Sequence, residues 1–218
     1  MDVSERYYQV YLFCLNKIKY QGQTVVPLSK MEFWRLKRAR VPEREIAYRS
    51  GLTAQHQDRD FAELRGQVIH SKPFFPFDHL HEWAIPALEL AQRSGIELAI
   101  MTMRRQSELL PVLDKYGLRR FFPEHLCFCL RDDYPKTYDT QDKPRLMLQA
   151  IATLPFLDRH WIVGDTEADI IAGKRFNCRT IGVLSGIRDR AQLQLHHPDY
   201  ILRDLTTAVQ LIVTMGHR

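Results

Sequence analysis

The sequence predicts an α/β protein in which a parallel β-sheet is covered by helices on both faces and a small helical domain precedes the sheet. Residues 1–75 read as helices throughout. The Pro-Phe-Phe-Pro stretch at 73–76 breaks that pattern, and short apolar strands then alternate with helices. Alternation of this kind is typical of parallel sheets, because a helix makes each crossover between parallel strands. We therefore assign residues 1–75 to a helical cap and residues 76–218 to an α/β core.

The front domain is predicted to contain four helices, because apolar side chains recur there at helical spacing. These helices cover residues 5–20, 29–40, 42–50 and 58–70. The second helix begins at Ser29 and carries Glu32 three residues later, which is the spacing of a capping box. The third is ended by Gly51, a residue type that closes helices readily.

The core is predicted to contain five strands and five helices in alternation. The strands cover residues 96–102, 126–130, 161–163, 180–184 and, as a short last strand, 200–202. The helices cover residues 80–94, 106–116, 145–153, 166–176 and 205–215, and Gly95 ends the first of them.

The most informative stretch of the core follows the strand at residues 161–163, where Gly164 is succeeded by Asp165 and Asp169. Glycine lets the backbone turn sharply into a helix near Thr166. Spacing of four residues places both carboxylates on one side of the first helical turn, where the positive helix end favours negative charge. Two carboxylates repel unless a cation joins them, and Mg²⁺ suits such oxygen ligands. The alternative is a capping box between Thr166 and Asp169 with no chemistry.

Residues 164–186 resemble the fourth motif of the haloacid dehalogenase (HAD) superfamily of phosphohydrolases: Gly-Asp, three residues, a second Asp, a helix and a Thr-Ile-Gly-Val strand. The resemblance implies a Rossmann-like core. Thr102 ends its strand and looks like the phosphate-binding residue of the second motif, although a lone Thr at this position is usually structural. Lys143, followed by proline, resembles the lysine of the third motif, whose ammonium offsets negative charge, and Lys136 is its competitor.

The first motif of this family, Asp-x-Asp-Gly-Thr at the end of a buried strand, does not occur in the sequence. In the family its first Asp attacks phosphorus and its second acts as general acid and base. The only Asp-x-Asp here, at residues 58–60, is interpreted as a solvated helix start. Asp2 and the helix after it resemble the segment just downstream of the motif in relatives, so we expect a chain that begins a few residues late, with true loss of the motif as the alternative. The missing strand would lie in the middle of the sheet.

The function that the resemblance implies is a Mg²⁺-dependent phosphatase of the phosphoglycolate phosphatase type, which acts on a small phosphorylated metabolite through an aspartyl-phosphate. Asp165 and Asp169 would hold Mg²⁺, and Thr102 and Lys143 would bind the transferring phosphoryl group. Because the nucleophile is absent, we expect no turnover from residues 1–218 as written. The alternative is a non-catalytic protein that keeps the HAD fold for binding or regulation.

Bulk composition fits this class of protein. An apolar content of 45% is enough for a core, and the sequence contains neither an apolar run of membrane-spanning length nor a signal pattern, so we expect a cytoplasmic protein. Four cysteines without metal-site spacing are read as buried or free thiols. The net charge is +5, and the basic run at 35–40 is interpreted as a solvated helix face. We therefore expect neither nucleic acid nor membrane as a partner, and the oligomeric state is left open.

Overall fold

The computed structural model of the protein describes residues 1–154 and 160–216. The chain divides into two compact units. The first contains Met1–His81 and Gly186–Gln192, and the second contains Glu82–Ser185 and Leu193–Arg218. The assignment of residues 1–75 to a cap stays a prediction. Among the described residues, no helix combines the length and the apolar character that crossing a membrane requires.

The first unit is helical. Its helices are α1 (Ser4–Ile18), α2 (Lys30–Arg38), α3 (Glu43–Arg49) and α4 (Gln57–Val68), followed by a short 3₁₀ helix at Lys72–Phe77. All four predicted helices are confirmed to within two residues at each end, which is the usual uncertainty of helix boundaries. Their apolar faces meet around three fully buried aromatic rings, and the centroids of Tyr11 and Phe33 lie 4.6 Å apart.

The predicted helix signals are realised in part. The Ser29 side chain accepts a hydrogen bond from the backbone N–H of Glu32 at 3.2 Å, which confirms Ser29 as the N-cap of α2. The Glu32 carboxylate accepts instead from the Arg35 guanidinium at 2.9 Å. Gly51 has φ +95°, so the end of α3 takes the left-handed conformation that only glycine adopts without strain.

The segment Gly186–Gln192 belongs to the first unit, and hydrogen bonds bind it to residues at the end of α2. The Arg38 guanidinium donates to the Arg188 carbonyl at 3.0 Å, and the Asp189 N–H donates to the Arg38 carbonyl at 3.2 Å. The Gln192 side chain donates to the Ala39 carbonyl at 3.3 Å. This stretch of chain is therefore fixed on α2, although 150 positions of sequence separate Arg38 from Arg188.

The second unit carries the α/β core. Its strands are β1 (Ile100–Arg105), β2 (Cys127–Leu130), β3 (Trp161–Gly164), β4 (Arg179–Val183) and β5 (Tyr200–Leu202). Its helices are α5 (Ala84–Arg93), α6 (Gln106–Lys115), α7 (Asp139–Thr153), α8 (Glu167–Arg175) and α10 (Leu205–Gly216), and the short α9 (Arg190–Gln194) begins in the first unit and ends in this one.

All strand pairs between these elements are parallel, which confirms the α/β class. On one face, Phe128 and Ile162 pack against Met147 of α7 and Ala172 of α8. On the other, Ile181 packs with α10. The described strands form two sheets rather than one: β1 pairs with β2, and β3, β4 and β5 pair in that order. Among the described residues, no strand pairing joins β1 to β3.

Four elements in this unit differ from the prediction. The first strand begins at Ile100 rather than residue 96, because its partner β2 begins at Cys127, opposite Ile100. Helix α5 begins at Ala84 rather than residue 80, since His79 is held extended by paired backbone hydrogen bonds to Asp2. The short α9 was not predicted. Helix α7 begins at Asp139 rather than residue 145, for a reason that belongs to the site.

Candidate active site

The site is built on the turn from β3 into α8. Gly164 ends β3, Asp165 follows it, and Thr166 is the N-cap of α8. A Cβ atom at residue 164 would lie 2.0 Å from the carboxyl carbon of Asp169, so only glycine leaves room for that carboxylate to fold back over the strand end. The predicted turn is confirmed. Glycine is required at residue 164 because the Asp169 side chain lies against its backbone.

Asp169 makes both the capping interaction and an ion pair. Its Oδ2 accepts from the backbone N–H of Thr166 at 3.1 Å and from the Thr166 hydroxyl at 2.7 Å. Its Oδ1 accepts from the Lys143 ammonium, and the two side chains are only 7% and 10% exposed. One carboxylate thus caps α8 and binds Lys143, which confirms the capping interaction, and the role of Asp169 as a Mg²⁺ ligand stays a prediction.

The electrostatics of this pair favour a charged lysine. Burial tends to lower the pKa of Lys143, but the charge and hydrogen bond of Asp169 and the charge of Asp165 outweigh it and raise the pKa overall. A positively charged ammonium is therefore held beside two carboxylates at the carboxyl end of β3. Lys136, the competing lysine, pairs instead with Asp139 at 3.1 Å on the surface.

Lys143 is positioned by a residue that the sequence analysis did not identify. The neighbouring Asp142 is 1% exposed and accepts from the Thr137 N–H at 2.7 Å, the Thr137 hydroxyl at 2.9 Å and the Tyr134 hydroxyl at 2.9 Å. Burial tends to raise the pKa of Asp142, yet these hydrogen bonds lower it overall. They bind the 134–137 loop to the helix start, so α7 begins at Asp139 and Lys143 lies inside it. The prediction that Lys143 precedes the helix was wrong for this reason.

Thr102 lies within β1, whose end is fixed by local bonds. The Arg104 N–H donates to the Thr102 hydroxyl at 3.2 Å. The Arg105 guanidinium donates to the carbonyls of Arg131 at 3.1 Å and Tyr134 at 3.2 Å, and so ties β1 to the loop before α7. In the described part of the chain, no hydrogen bond joins Thr102 to the Lys143 and Asp169 pair.

A divalent ion would find an incomplete set of ligands here. Mg²⁺ needs near-octahedral oxygen ligation, usually from one or two carboxylates plus water and substrate. Asp165 contributes one carboxylate at the end of β3, and both oxygens of Asp169 bind Lys143 and Thr166. Residues 1–154 and 160–216 contain no group of three or more His, Cys, Asp or Glu side chains able to hold a metal. The described residues at this turn therefore supply only part of the ligand set of a Mg²⁺ ion.

The other acidic candidates lie elsewhere. The Asp2 carboxylate accepts from the Ser4 N–H at 2.8 Å at the start of α1. Burial tends to raise the pKa of Asp2, but its bonds to Ser4 lower it overall. Asp58 and Asp60 lie in the first turn of α4 and pair loosely with arginines, as a solvated helix start does. Both groups belong to the first unit.

Comparison with known proteins agrees with the motif analysis. Residues 142–208 match a family described as HAD-hydrolase-like, a range that contains Lys143, Asp165 and Asp169. The chain is 25% identical over 157 residues to a pyrophosphatase, PpaX, from Oceanobacillus iheyensis, which covers 71% of this chain and 69% of that protein. It is 21% identical over 141 residues to a phosphoglycolate phosphatase from Vibrio parahaemolyticus, which covers 62% of this chain and 57% of that protein.

Solved structures show the same fold. A predicted phosphatase from Clostridium acetobutylicum aligns with a TM-score of 0.66 at 16% identity, over 98% of this chain and 93% of that one. A haloacid dehalogenase-like family hydrolase from Streptococcus pneumoniae aligns with a TM-score of 0.62 at 16% identity, over 97% and 92% of the two chains. The family match over residues 142–208 confirms the resemblance drawn from residues 164–186, and the solved structures confirm the fold.

Proposed function

We propose that the chain is a haloacid dehalogenase-like hydrolase whose residues serve the Mg²⁺-dependent hydrolysis of a small phosphorylated metabolite. The observation that carries the proposal is the buried ion pair of Lys143 and Asp169 beside Asp165, at the carboxyl end of a parallel strand. Ligands of open α/β sheets bind at that end of the strands. Lysine side chains are almost never this buried unless an acidic group pairs with them. The pairing with Asp169 keeps Lys143 positively charged at the position where a phosphate would bind.

In this proposal Lys143 binds the oxygens of the transferring phosphoryl group. Its ammonium carries three donors, and the Asp169 bond holds it in place before the substrate arrives. Preorganised charge of this kind stabilises the transition state because no reorganisation is needed at the moment of reaction. Asp169 is thus a positioning residue for Lys143. Thr102 would add a hydroxyl donor to the same phosphoryl group, from within β1.

Mg²⁺ is the proposed cofactor, and Asp165 is the ligand that this chain would supply. When bound, the ion would draw together the anionic nucleophile and the anionic phosphate, which otherwise repel. The remaining protein ligand, the attacking carboxylate and the acid–base carboxylate of an aspartyl-phosphate route belong to an Asp-x-Asp-Gly-Thr segment that these 218 residues do not contain. Catalysis by this route therefore needs that segment as well as the ion.

The substrate class is proposed from the relatives and from charge. Pyrophosphatase and phosphoglycolate phosphatase are names of proteins that act on small, highly anionic phosphates. A net charge of +5 suits an anionic substrate of this kind. Location in the cytoplasm also stays a prediction.

The proposal is tested by extending the polypeptide upstream of Met1 with an apolar strand followed by Asp-x-Asp-Gly-Thr. We expect Mg²⁺-dependent hydrolysis of p-nitrophenyl phosphate and pyrophosphate, and a loss of about 100-fold or more in kcat on Lys143→Gln. An otherwise identical extension with Asn-x-Asn-Gly-Thr is the control and should be inactive. Residues 1–218 without an extension should show no turnover. A folded, extended protein with no phosphatase activity would contradict the proposal.

A second candidate is a non-catalytic protein with the HAD fold, which the absence of Asp-x-Asp-Gly-Thr from the sequence favours. Such a protein would bind phosphate or a phosphorylated ligand at Lys143 without hydrolysing it. Phosphate binding that is lost on Lys143→Gln, together with inactivity of the extended protein, would favour this candidate over the enzyme.

A further inference from the structure

The first unit contains a cluster of largely buried charged side chains to which three of its helices contribute. Lys37 comes from α2, Glu43 from α3 and Arg65 from α4. The Lys37 ammonium and the Arg65 guanidinium both pair with the same oxygen of Glu43, Oε1, and the Arg65 contact measures 2.9 Å. The side chains of Lys37, Glu43 and Arg65 are 11%, 18% and 11% exposed. We call these three residues the charge cluster.

The charge cluster carries more positive charge than its carboxylate neutralises. Lys37 and Arg65 contribute two positive charges against the single negative charge of Glu43, and the charge of Arg188 also acts on Lys37. Burial and the Arg65 charge lower the pKa of Lys37 to about 8, although Glu43 favours the charged ammonium. Positive charge that is held away from water is costly unless an anion pairs with it.

An aromatic ring from α1 offsets only part of this cost. The centroid of the Tyr7 ring lies 5.0 Å from the guanidinium carbon of Arg65 and 5.9 Å from the Lys37 ammonium. Arg6 also lies over this ring, at 5.5 Å, but it has a carboxylate of its own, Asp78, at 2.9 Å. The face of a ring attracts a cation more weakly than a full negative charge does. Tyr7 therefore does not replace a second anion.

Two buried polar atoms of the charge cluster make no hydrogen bond to any residue that the structure describes. They are Nε of Arg65, a donor, and Oε2 of Glu43, an acceptor. Buried polar atoms in proteins almost always have a hydrogen-bond partner. A ligand that completes the charge cluster must therefore accept a hydrogen bond from Arg65, donate one to Glu43 and carry negative charge.

We propose that the charge cluster binds inorganic phosphate in its hydrogenphosphate form, HPO₄²⁻. The phosphate oxygens accept from Arg65 and Lys37, and the P–O–H group donates to Oε2 of Glu43. A guanidinium suits this role because its planar fork matches the geometry of phosphate oxygens. The remaining exposure of all three side chains gives a small anion access from the surface.

The same chemistry predicts which anions the charge cluster rejects. Sulfate resembles hydrogenphosphate in size and charge but has no O–H group at neutral pH, so it leaves Oε2 of Glu43 without a donor. The dianion of a phosphate monoester lacks that O–H group as well. The inference therefore concerns free phosphate, belongs to the first unit alone and does not rest on the proposed function.

The test uses the protein of residues 1–218 in phosphate-free buffer and follows the ammonium resonance of Lys37 by NMR as pH and phosphate concentration are varied. The resonance is assigned by its loss in Lys37→Met. We expect saturable binding with half-saturation at about 1 mM or below. Bound phosphate should raise the pKa of Lys37 from about 8 toward its ordinary value of 10.5, because an anion stabilises the charged form.

Sulfate is the matched ligand control. It should bind at least about tenfold more weakly than phosphate, since it leaves a buried acceptor without a hydrogen bond. A Lys37 pKa that phosphate does not change would overturn the proposal. Equal affinities for phosphate and sulfate would overturn it as well, because Glu43 would then not select the ligand.

Matched variants locate the site. Arg65→Gln removes the guanidinium and should weaken phosphate binding by at least about tenfold. Lys30→Met also removes a lysine of α2 that pairs with a glutamate, Glu5, but that pair is 44% and 28% exposed, so phosphate binding should not change. If Arg65→Gln does not fold, the comparison of phosphate with sulfate on the unsubstituted protein decides the matter.

The Lys37 resonance also separates this site from the one proposed at Lys143. Lys143→Gln should leave the response of Lys37 to phosphate unchanged, and loss of that response would overturn the inference. An extended protein without phosphatase activity whose Lys37 still responds to phosphate would contradict the proposed function and support this inference. An active extended protein whose Lys37 does not respond would do the reverse.

Discussion

Replacing Lys143 by methionine should lower the free energy of unfolding of the second unit by about 3–5 kcal/mol, because it leaves a buried carboxylate without its cation. Asp169 is 7% exposed, and the substitution removes the cation bound to its Oδ1. The two bonds from Thr166 to Oδ2 remain but do not neutralise the charge. Methionine keeps most of the length of the lysine stem, so little of the loss comes from packing.

The matched control is Lys136→Met. Lys136 also pairs with an aspartate, at 3.1 Å, but the partner side chains are 29% and 51% exposed. Exposed pairs of this kind contribute about 0–1 kcal/mol, so this variant should lose no more than that. The two substitutions remove the same functional group from the same stretch of chain and differ in burial.

The assay is urea denaturation of residues 1–218, followed by hydrogen exchange of β3 and α8 amides so that the second unit is read by itself. Asp169→Asn and the double variant complete a cycle, and the double variant should be more stable than the sum of the single losses predicts, by about 0.5–3 kcal/mol. Equal losses for Lys143→Met and Lys136→Met would refute the reasoning, since burial would then not decide the cost. Additive single losses would refute it as well.

Three further predictions concern particular residues. Gly164→Ala should cost about 1–3 kcal/mol of unfolding free energy because no space exists for a Cβ, whereas Gly66→Ala, which meets nothing, should stabilise α4 by about 0.5–1 kcal/mol in the same denaturation assay. Burial and the Arg65 charge lower the pKa of Lys37 to about 8. The free energy of unfolding of the first unit should therefore rise with pH between about 8 and 10.5, and Lys37→Met should abolish that rise. Asp142→Asn should lower the free energy of unfolding by about 1–3 kcal/mol. It should also remove the loss of stability that Asp142 causes as pH falls below the ordinary aspartate pKa, and acid titration of unfolding measures that loss.

The sequence predicted the turn at Gly164 because its determinants are local. An apolar strand, a glycine and a cap residue specify that geometry within a single short stretch, and the structure confirms it. The preference for Lys143 over Lys136 came only through the resemblance and stays a prediction, although the structure pairs Lys143 with Asp169 and leaves Lys136 paired with Asp139 on the surface.

Features that the sequence did not predict depend on contacts distant along the chain. Helix α7 starts early because Asp142 binds the loop at 134–137, and such bonds leave no periodic signal. The capping box at Asp169 was posed as the alternative to metal binding, and the structure forms the capping interaction and adds a bond to Lys143, which lies 26 residues earlier in the chain. Strand β1 begins where its partner does, at Ile100, a limit set by β2 and not by residues 96–99.

The attachment of Gly186–Gln192 to α2 affects how this protein behaves when it is cleaved into fragments. The polypeptide passes from one unit to the other three times, after His81, Ser185 and Gln192. A fragment of residues 1–81 would lack the partners of Arg38 and Ala39, and the complementary fragment would carry an untethered loop. Cleavage between residues 81 and 82 should therefore leave two fragments that co-purify. Neither fragment expression nor limited proteolysis at this position should yield the complete helical unit by itself.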